Sequence, residues 1–236
     1  MRRSRLCAAL VFAASIHALA QNPVEGWFPL HPGDRWTYEH ETRDENGEGP
    51  AHLEIHRWTT EETIIGSWTV SQGTLIGKKV RVNEGALPPS YIAYPDEVAY
   101  LVRGNCVYTR EVDWNPQRHQ LTADFVKLLD RGAYSADFCF PLVTGETWGA
   151  PHWAEWRSPA EAKDWQVVNT ESHDPAAPDK RQMFHITSIS SYLGSGMSDD
   201  VWFEKGVGIV REDEIHHGTI GEFHTRLLRF QPASNR

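Results

Sequence analysis

The chain has 236 residues, and its 23 lysines and arginines are outnumbered by 32 aspartates and glutamates, for a formal charge of −9. That balance excludes a polyanion-binding surface, so neither nucleic acid nor an anionic membrane is expected as a partner, while an unknown small molecule or a protein stays open. With 40% hydrophobic residues and this length, the chain can bury a substantial core.

Residues 1–20 read as a secretory signal. Arg2, Arg3 and Arg5 form a basic start, Leu6 to Ile16 a short apolar run, and Ala18-Leu19-Ala20 a small-x-small cleavage site, so the mature chain is expected to begin at Gln21. Cys7 precedes most of the apolar run and is not in a lipidation position. The expected mature chain has 216 residues, with 20 basic and 32 acidic side chains for a formal charge of −12. No later apolar run is long enough to span a bilayer. A secreted or periplasmic protein is therefore expected. Two cysteines remain, Cys106 and Cys139, each in an apolar, strand-like setting, and an exported chain with an even count predicts one disulfide.

Aromatic and β-branched residues alternate through Arg35–Arg43, Ala51–Thr59, Thr63–Ser71, Lys78–Val82, Glu97–Arg103 and Cys106–Val112. The pattern returns in Trp165–Glu171, Met183–Tyr192, Val201–Glu204, Gly208–His216 and Glu222–Phe230. Such segments predict half-buried strands. Asn46-Gly47, Pro88-Pro89, Gly104-Asn105, Gly194-Ser195-Gly196 and His217-Gly218 supply turn chemistry between them. One helix is predicted, from about Thr122 to Arg131. Leu121, Phe125, Leu128 and Leu129 share a face, and Gly132 suits the residue that ends a helix. It is expected to lid one end or face of the sheet. The predicted class is mainly β: an antiparallel curved sheet, sandwich or open barrel with one short helix.

One motif occurs twice. Phe28-Pro29-Leu30-His31-Pro32-Gly33-Asp34-Arg35-Trp36 and Phe140-Pro141-Leu142-Val143-Thr144-Gly145-Glu146-Thr147-Trp148 both read F-P-L-x-x-G-x-x-W, 112 residues apart. Proline fixes φ and extends the residue before it, glycine permits a positive-φ turn, and tryptophan opens the next strand with a large ring to bury. Phe, Leu and Trp are thus expected to clamp a chain corner into the core. A single β-rich domain over 21–236 is expected, and the repeat raises a division into two related halves, 21–132 and 133–236. Gly206-Val207-Gly208-Ile209-Val210 reads as a bend or bulge from which a strand resumes, not as a phosphate loop. These three anchors resemble those of an uncharacterised group of secreted bacterial β-rich proteins with FPLxxGxxWxY and GVGxV segments. The resemblance implies architecture and no shared activity.

Candidate chemistry is sparse. His52, Glu54 and His56 would share one strand face, with Trp58 continuing it, and two imidazoles with a carboxylate suit a transition metal. Glu222 and His224 would share a strand face near His216-His217 and could complete that site if the strands adjoin. Trp153 and Trp156, between Pro151 and Pro159, and Trp58 offer flat rings for ligand stacking. Neighbouring carboxylates such as Glu61-Glu62 and Asp199-Asp200 point to opposite faces of a strand and make poor catalytic pairs. No catalytic constellation and no cofactor motif is found. The leading expectation is an exported non-catalytic module that binds an apolar or aromatic-stacking ligand or a partner protein. The alternatives are a secreted hydrolase acting on polysaccharide and a metal-binding β domain.

Overall fold

The alternating segments become strands that join edge to edge. A computed structural model of the protein describes residues 24–45, 53–85, 96–109, 112–132, 136–148, 165–172, 182–192, 195–217 and 221–234. The elements are β1 (Arg35–Glu45), β2 (Leu53–Val70), β3 (Gly73–Gly85), β4 (Glu97–Arg103), β5 (Cys106–Tyr108), β6 (Trp114–Asn115), β7 (Gln120–Leu121), α1 (Ala123–Asp130) and β8 (Phe138–Cys139). They continue with β9 (Thr147–Trp148), β10 (Trp165–Ser172), β11 (Gln182–Tyr192), β12 (Ser195–Glu204), β13 (Gly208–His217) and β14 (Gly221–Gln231). Twelve strands form one sheet in the order β8-β5-β4-β3-β2-β1-β14-β13-β12-β11-β10-β9, and β6 and β7 form a separate hairpin. Every pairing in the sheet is antiparallel.

The sheet must curl. Eleven strand spacings would separate β8 from β9 by about 50 Å in a flat sheet. The chain passes from Cys139 to Thr147 through peptide links that reach about 28 Å at full extension. The second copy of the repeated motif is that crossing. Phe140 exchanges hydrogen bonds with Asn105, Phe140 N donating to its carbonyl at 2.9 Å and Asn105 Nδ2 returning one at 2.7 Å. Trp148 Nε1 reaches back to the Asp137 carbonyl at 3.3 Å.

The first copy lies elsewhere, in the corner that feeds β1 in the middle of the sheet. Gly33, at φ +98°, donates to the Ile64 carbonyl at 2.8 Å, and Ile64 N returns a bond to Asp34 O at 3.0 Å. The Asp34 carboxylate is buried and accepts from His31 N and Ala233 N, tying the corner to the end of the chain. Glu146, its counterpart in the second copy, is exposed. Phe28, Leu30 and Trp36, and Phe140, Leu142 and Trp148, are all buried in one core cluster. Of the two prolines, Pro29 is buried and Pro141 exposed.

The Phe28 ring marks the inside of the curl. It lies 6.3 Å from Trp36 on β1, 5.5 Å from Tyr100 on β4, 6.3 Å from Phe138 on β8 and 5.6 Å from Phe203 on β12. The glycine pair after β12 completes this contact. Trp36 Nε1 donates to Val207 O at 2.7 Å, and Gly206 N donates to Trp27 O at 2.8 Å. A Cβ on Gly208, at φ +99°, would sit 2.7 Å from the Phe28 ring. Two of the three sequence anchors therefore touch.

Two sequence expectations are corrected. The two strands expected at Ala51–Thr59 and Thr63–Ser71 merge into one, β2 over Leu53–Val70, because Thr60, Glu61 and Glu62 keep the ladder with β1 and no turn residue interrupts them. The strand expected to run to Val112 stops at Tyr108, since Thr109 gives both its N–H and its hydroxyl to the Asp137 carboxylate. The helix forms where predicted, capped by Thr122 and followed by Gly132 at φ +69°. It covers a face of the sheet as expected, and that face is the outer one. Phe125 and Leu129 pack on Leu101, whereas Tyr100 and Val102 belong to the interior cluster, so α1 covers the outer face of β4. Among the described residues no helix is long and apolar enough to cross a membrane.

Cys106 and Cys139 are bonded, fastening β8 to β5 across a separation of 33 residues. Reduction should lower the unfolding free energy by roughly 3–4 kcal/mol in the chain-entropy view. Urea unfolding with and without a reductant, compared with Cys106→Ser/Cys139→Ser, measures it.

Candidate functional site

Strict alternation sends one set of side chains inward. On β1 these are Trp36, Tyr38, His40 and Thr42, and on β2 Trp58, Thr60, Glu62 and Ile64, all buried. The inner set is not wholly apolar, and His40 and Glu62 from it help to line a cavity of about 450 Å³. Phe28, Trp36, Tyr38, Tyr100, Phe138, Val201, Ile209 and Phe223 give it an apolar lining, while His40, Glu62, Lys78, Asp137, Glu212, Glu214 and Thr225 supply polar groups. The lining comes from both arms of the sheet, β1 to β4 on one side and β12 to β14 on the other.

Lys78 and Glu62 form a buried ion pair at 2.7 Å, and the ammonium also lies 4.9 Å from the centre of the Tyr100 ring. Next to them His40 bridges three strands. Its Nε2 is 2.8 Å from Thr60 Oγ1 and its Nδ1 3.1 Å from Thr225 Oγ1. The imidazole stacks on Trp58 at 5.2 Å and on Phe223 at 5.8 Å. Burial, helped by the positive charge of Lys78, pushes the His40 pKa down from 6.5 to about 4. The ring is neutral at pH 7, with one nitrogen donating and the other accepting.

A pH dependence follows. Above pH 6.5 neither the folded nor the unfolded chain protonates this group. Between 6.5 and 4 the unfolded chain takes up a proton that the folded chain refuses, so stability present above 6.5 is lost as the pH falls through that window. The full loss is about 3 kcal/mol at 1.36 kcal/mol per unit. Urea titrations at several pH values should show that slope in the native chain and a flatter one in His40→Gln.

The outer face of the same strands carries a ladder of charges. Glu41 accepts from Arg57 at 2.6 Å and from Arg43 at 2.7 Å, and these two bonds hold its carboxyl below the usual range. Arg43 continues to Glu222 at 3.2 Å, Glu222 to His224 at 3.1 Å, and His224 to Asp213 at 2.8 Å. Burial pulls the His224 pKa down, but its two carboxylate partners outweigh that and leave it raised. Arg211 pairs with Asp213 and lies over Trp202 at 4.3 Å, with His185 stacked on Trp202 at 4.5 Å from the neighbouring strand. A larger trough of about 1120 Å³ runs along this face, lined by the paired Glu41, Arg43, Arg211, Asp213 and His224 together with Glu39, Arg226 and Arg229.

Several expected site residues fall into place. Trp58 is fully engaged by His40 and Phe223 in the core. Glu54 and His56 lie 3.5 Å apart in the phase of Trp58, with Glu54 exposed. His52, Trp153 and Trp156 lie outside the described residues, as does the signal segment 1–20. Glu222 and His224 do share a face, but it is the outer one, and β1 separates β14 from β2, so they do not join His56. Glu61 and Glu62 diverge as expected: Glu62 turns inward to Lys78, and Glu61 outward to Arg35 and Arg81. Among the described residues no group of three or more His, Cys, Asp or Glu side chains is placed to hold a metal ion.

His40 and Lys78 escaped the sequence reading, and Glu62 entered it only as half of a carboxylate pair. The signal for Glu62 was present, because it falls in the buried phase of Trp58-x-Thr60-x-Glu62-x-Ile64.

No protein family and no curated protein matches the chain. Among solved structures it is similar to a “putative exported protein with YmcC-like fold” from Bacteroides fragilis, at 10% identity and a TM-score of 0.40, covering 87% of this chain and 98% of that one.

Proposed function

We propose that the protein is an exported, non-catalytic binding module, one structural unit over 21–236, whose curled sheet takes up an amphipathic small molecule. The observation that carries this is the cavity of about 450 Å³, lined by aromatic rings together with Lys78, Glu62 and His40. Its volume suits a ligand of modest size, and an apolar lining with a few fixed polar groups is the usual make-up of such sites. His40 is locked as a neutral spacer between two hydroxyls, and Lys78 is committed to Glu62, so neither is poised as a nucleophile or a general base. Export is supported by the composition of residues 1–20 and by the Cys106–Cys139 bond, which persists in oxidising compartments.

Titration with N-phenyl-1-naphthylamine, a neutral apolar dye, tests the binding. Saturable one-to-one uptake is expected, and Val98→Trp should abolish it, because Val98 of β4 lines the cavity and a large ring there would fill it. No saturable uptake by the native chain would refute a binding interior.

A further inference from the structure

Accepting that interior as a binding site, we infer that its guest is uncharged, an apolar body headed by a hydroxyl or a primary amide that the Lys78–Glu62 pair reads. The charged groups of the lining are already engaged. Lys78 donates to Glu62 Oε2 at 2.7 Å, and Asp137 accepts two hydrogen bonds from Thr109. Glu212 and Glu214 have interactions of their own. His40 is neutral at pH 7, and both its ring nitrogens are spent on Thr60 and Thr225. A carboxylate head would enter among four carboxylates, and an ammonium would have to take one of them from the partner it holds.

The ion pair itself has capacity to spare. An ammonium has three N–H groups and a carboxylate two oxygens, and the bond between them uses one of each. Apart from the Tyr100 ring, 4.9 Å from the ammonium, neither side chain has another partner among the described residues. Both line the cavity, so a donor and an acceptor stand side by side there on a pair of zero net charge. A hydroxyl satisfies both at once, donating to Glu62 and accepting from Lys78. An ether oxygen can only accept. A site built to bond a hydroxyl rejects the analogue without it, because its own polar groups are left unpaired. Phe28, Phe138, Val201 and Ile209 supply apolar surface for the body of the guest.

The experiment is displacement of bound N-phenyl-1-naphthylamine from the mature chain, at neutral pH and physiological salt. The competitors are octanol, its isomer heptyl methyl ether, octanoate and octyltrimethylammonium, all below their aggregation limits. Octanol should displace the dye at a concentration about tenfold or more below that of each of the other three, a difference of about 1.4 kcal/mol. In Lys78→Met/Glu62→Leu the advantage of the alcohol over the ether should vanish, because the double variant keeps the apolar lining and loses the paired donor and acceptor. Either ion competing as well as octanol would overturn the inference while leaving the cavity a binding site. So would an ether equal to the alcohol on the native chain, or an advantage of the alcohol that survives in the double variant. Failure of the dye itself to bind would remove the binding interior as well. Circular dichroism reports whether the double variant folds, and the comparison of the four competitors on the native chain requires no variant.

Discussion

Lys78→Met should lower the unfolding free energy by about 3–5 kcal/mol, the range seen when one partner of a buried ion pair is removed. Both side chains of the pair are 11% exposed, so the Glu62 carboxylate would be left among aromatic rings without its countercharge. Replacing both partners should be far milder. Lys78→Met/Glu62→Leu removes the cost of desolvating two charges as well as their attraction, and most of the lost stability should return. The expected signature is thus non-additivity, read from urea unfolding of the two single variants and the double. A Lys78→Met chain as stable as the native one would show that Glu62 reaches water and that the interior is wetter than its burial implies.

Phe28→Ala should cost about 3–5 kcal/mol, as for other large aromatic truncations in a packed core. Its ring joins β1, β4, β8 and β12, strands well separated in the sheet order, so the void would open where the curl is held together. Gly208→Ala attacks the same contact from the other side. It is destabilising twice over, through the positive φ and through a Cβ 2.7 Å from the Phe28 ring. In the Phe28→Ala background the second penalty disappears. A double-mutant cycle followed by thermal unfolding should therefore show Gly208→Ala costing less once Phe28 is gone. Simple addition of the two losses would mean that the motif and the glycine bend stand independently.

Much of this architecture is legible in the residues themselves. Period-two alternation located the longer strands, Thr122 and Gly132 bracketed the helix, and export with two cysteines anticipated the disulfide. Local pattern does not say which strands adjoin. β1 pairs with β14 although 175 residues lie between Glu45 and Gly221 in the numbering, and this closure places Thr225 beside His40. Strands of two residues, such as β8 and β9, carry too little alternation to be recognised, yet they form the two ends of the sheet. The repeat misleads in one respect. Its copies look alike as corners, but one feeds the middle of the sheet and the other crosses between its ends, where Glu146 has no role like that of Asp34.

The cavity was the hardest part to foresee. Glu62 in a buried phase could be noticed, but its partner could not, because Lys78 meets it diagonally: Glu62 faces Val80 and Ile64 faces Lys78 across the β2–β3 ladder, next to a register shift. Trp58 offers a flat ring for stacking in the sequence, but the fold spends it on packing against His40, whereas Trp36 packs in the core as its motif predicts.

Native mass spectrometry of the chain released gently from its exported location bears most directly on a curled sheet that holds a guest. One small organic molecule per polypeptide should appear, and it should be missing from Val98→Trp. A native chain with the bare polypeptide mass, gaining nothing when offered N-phenyl-1-naphthylamine, would contradict a binding interior.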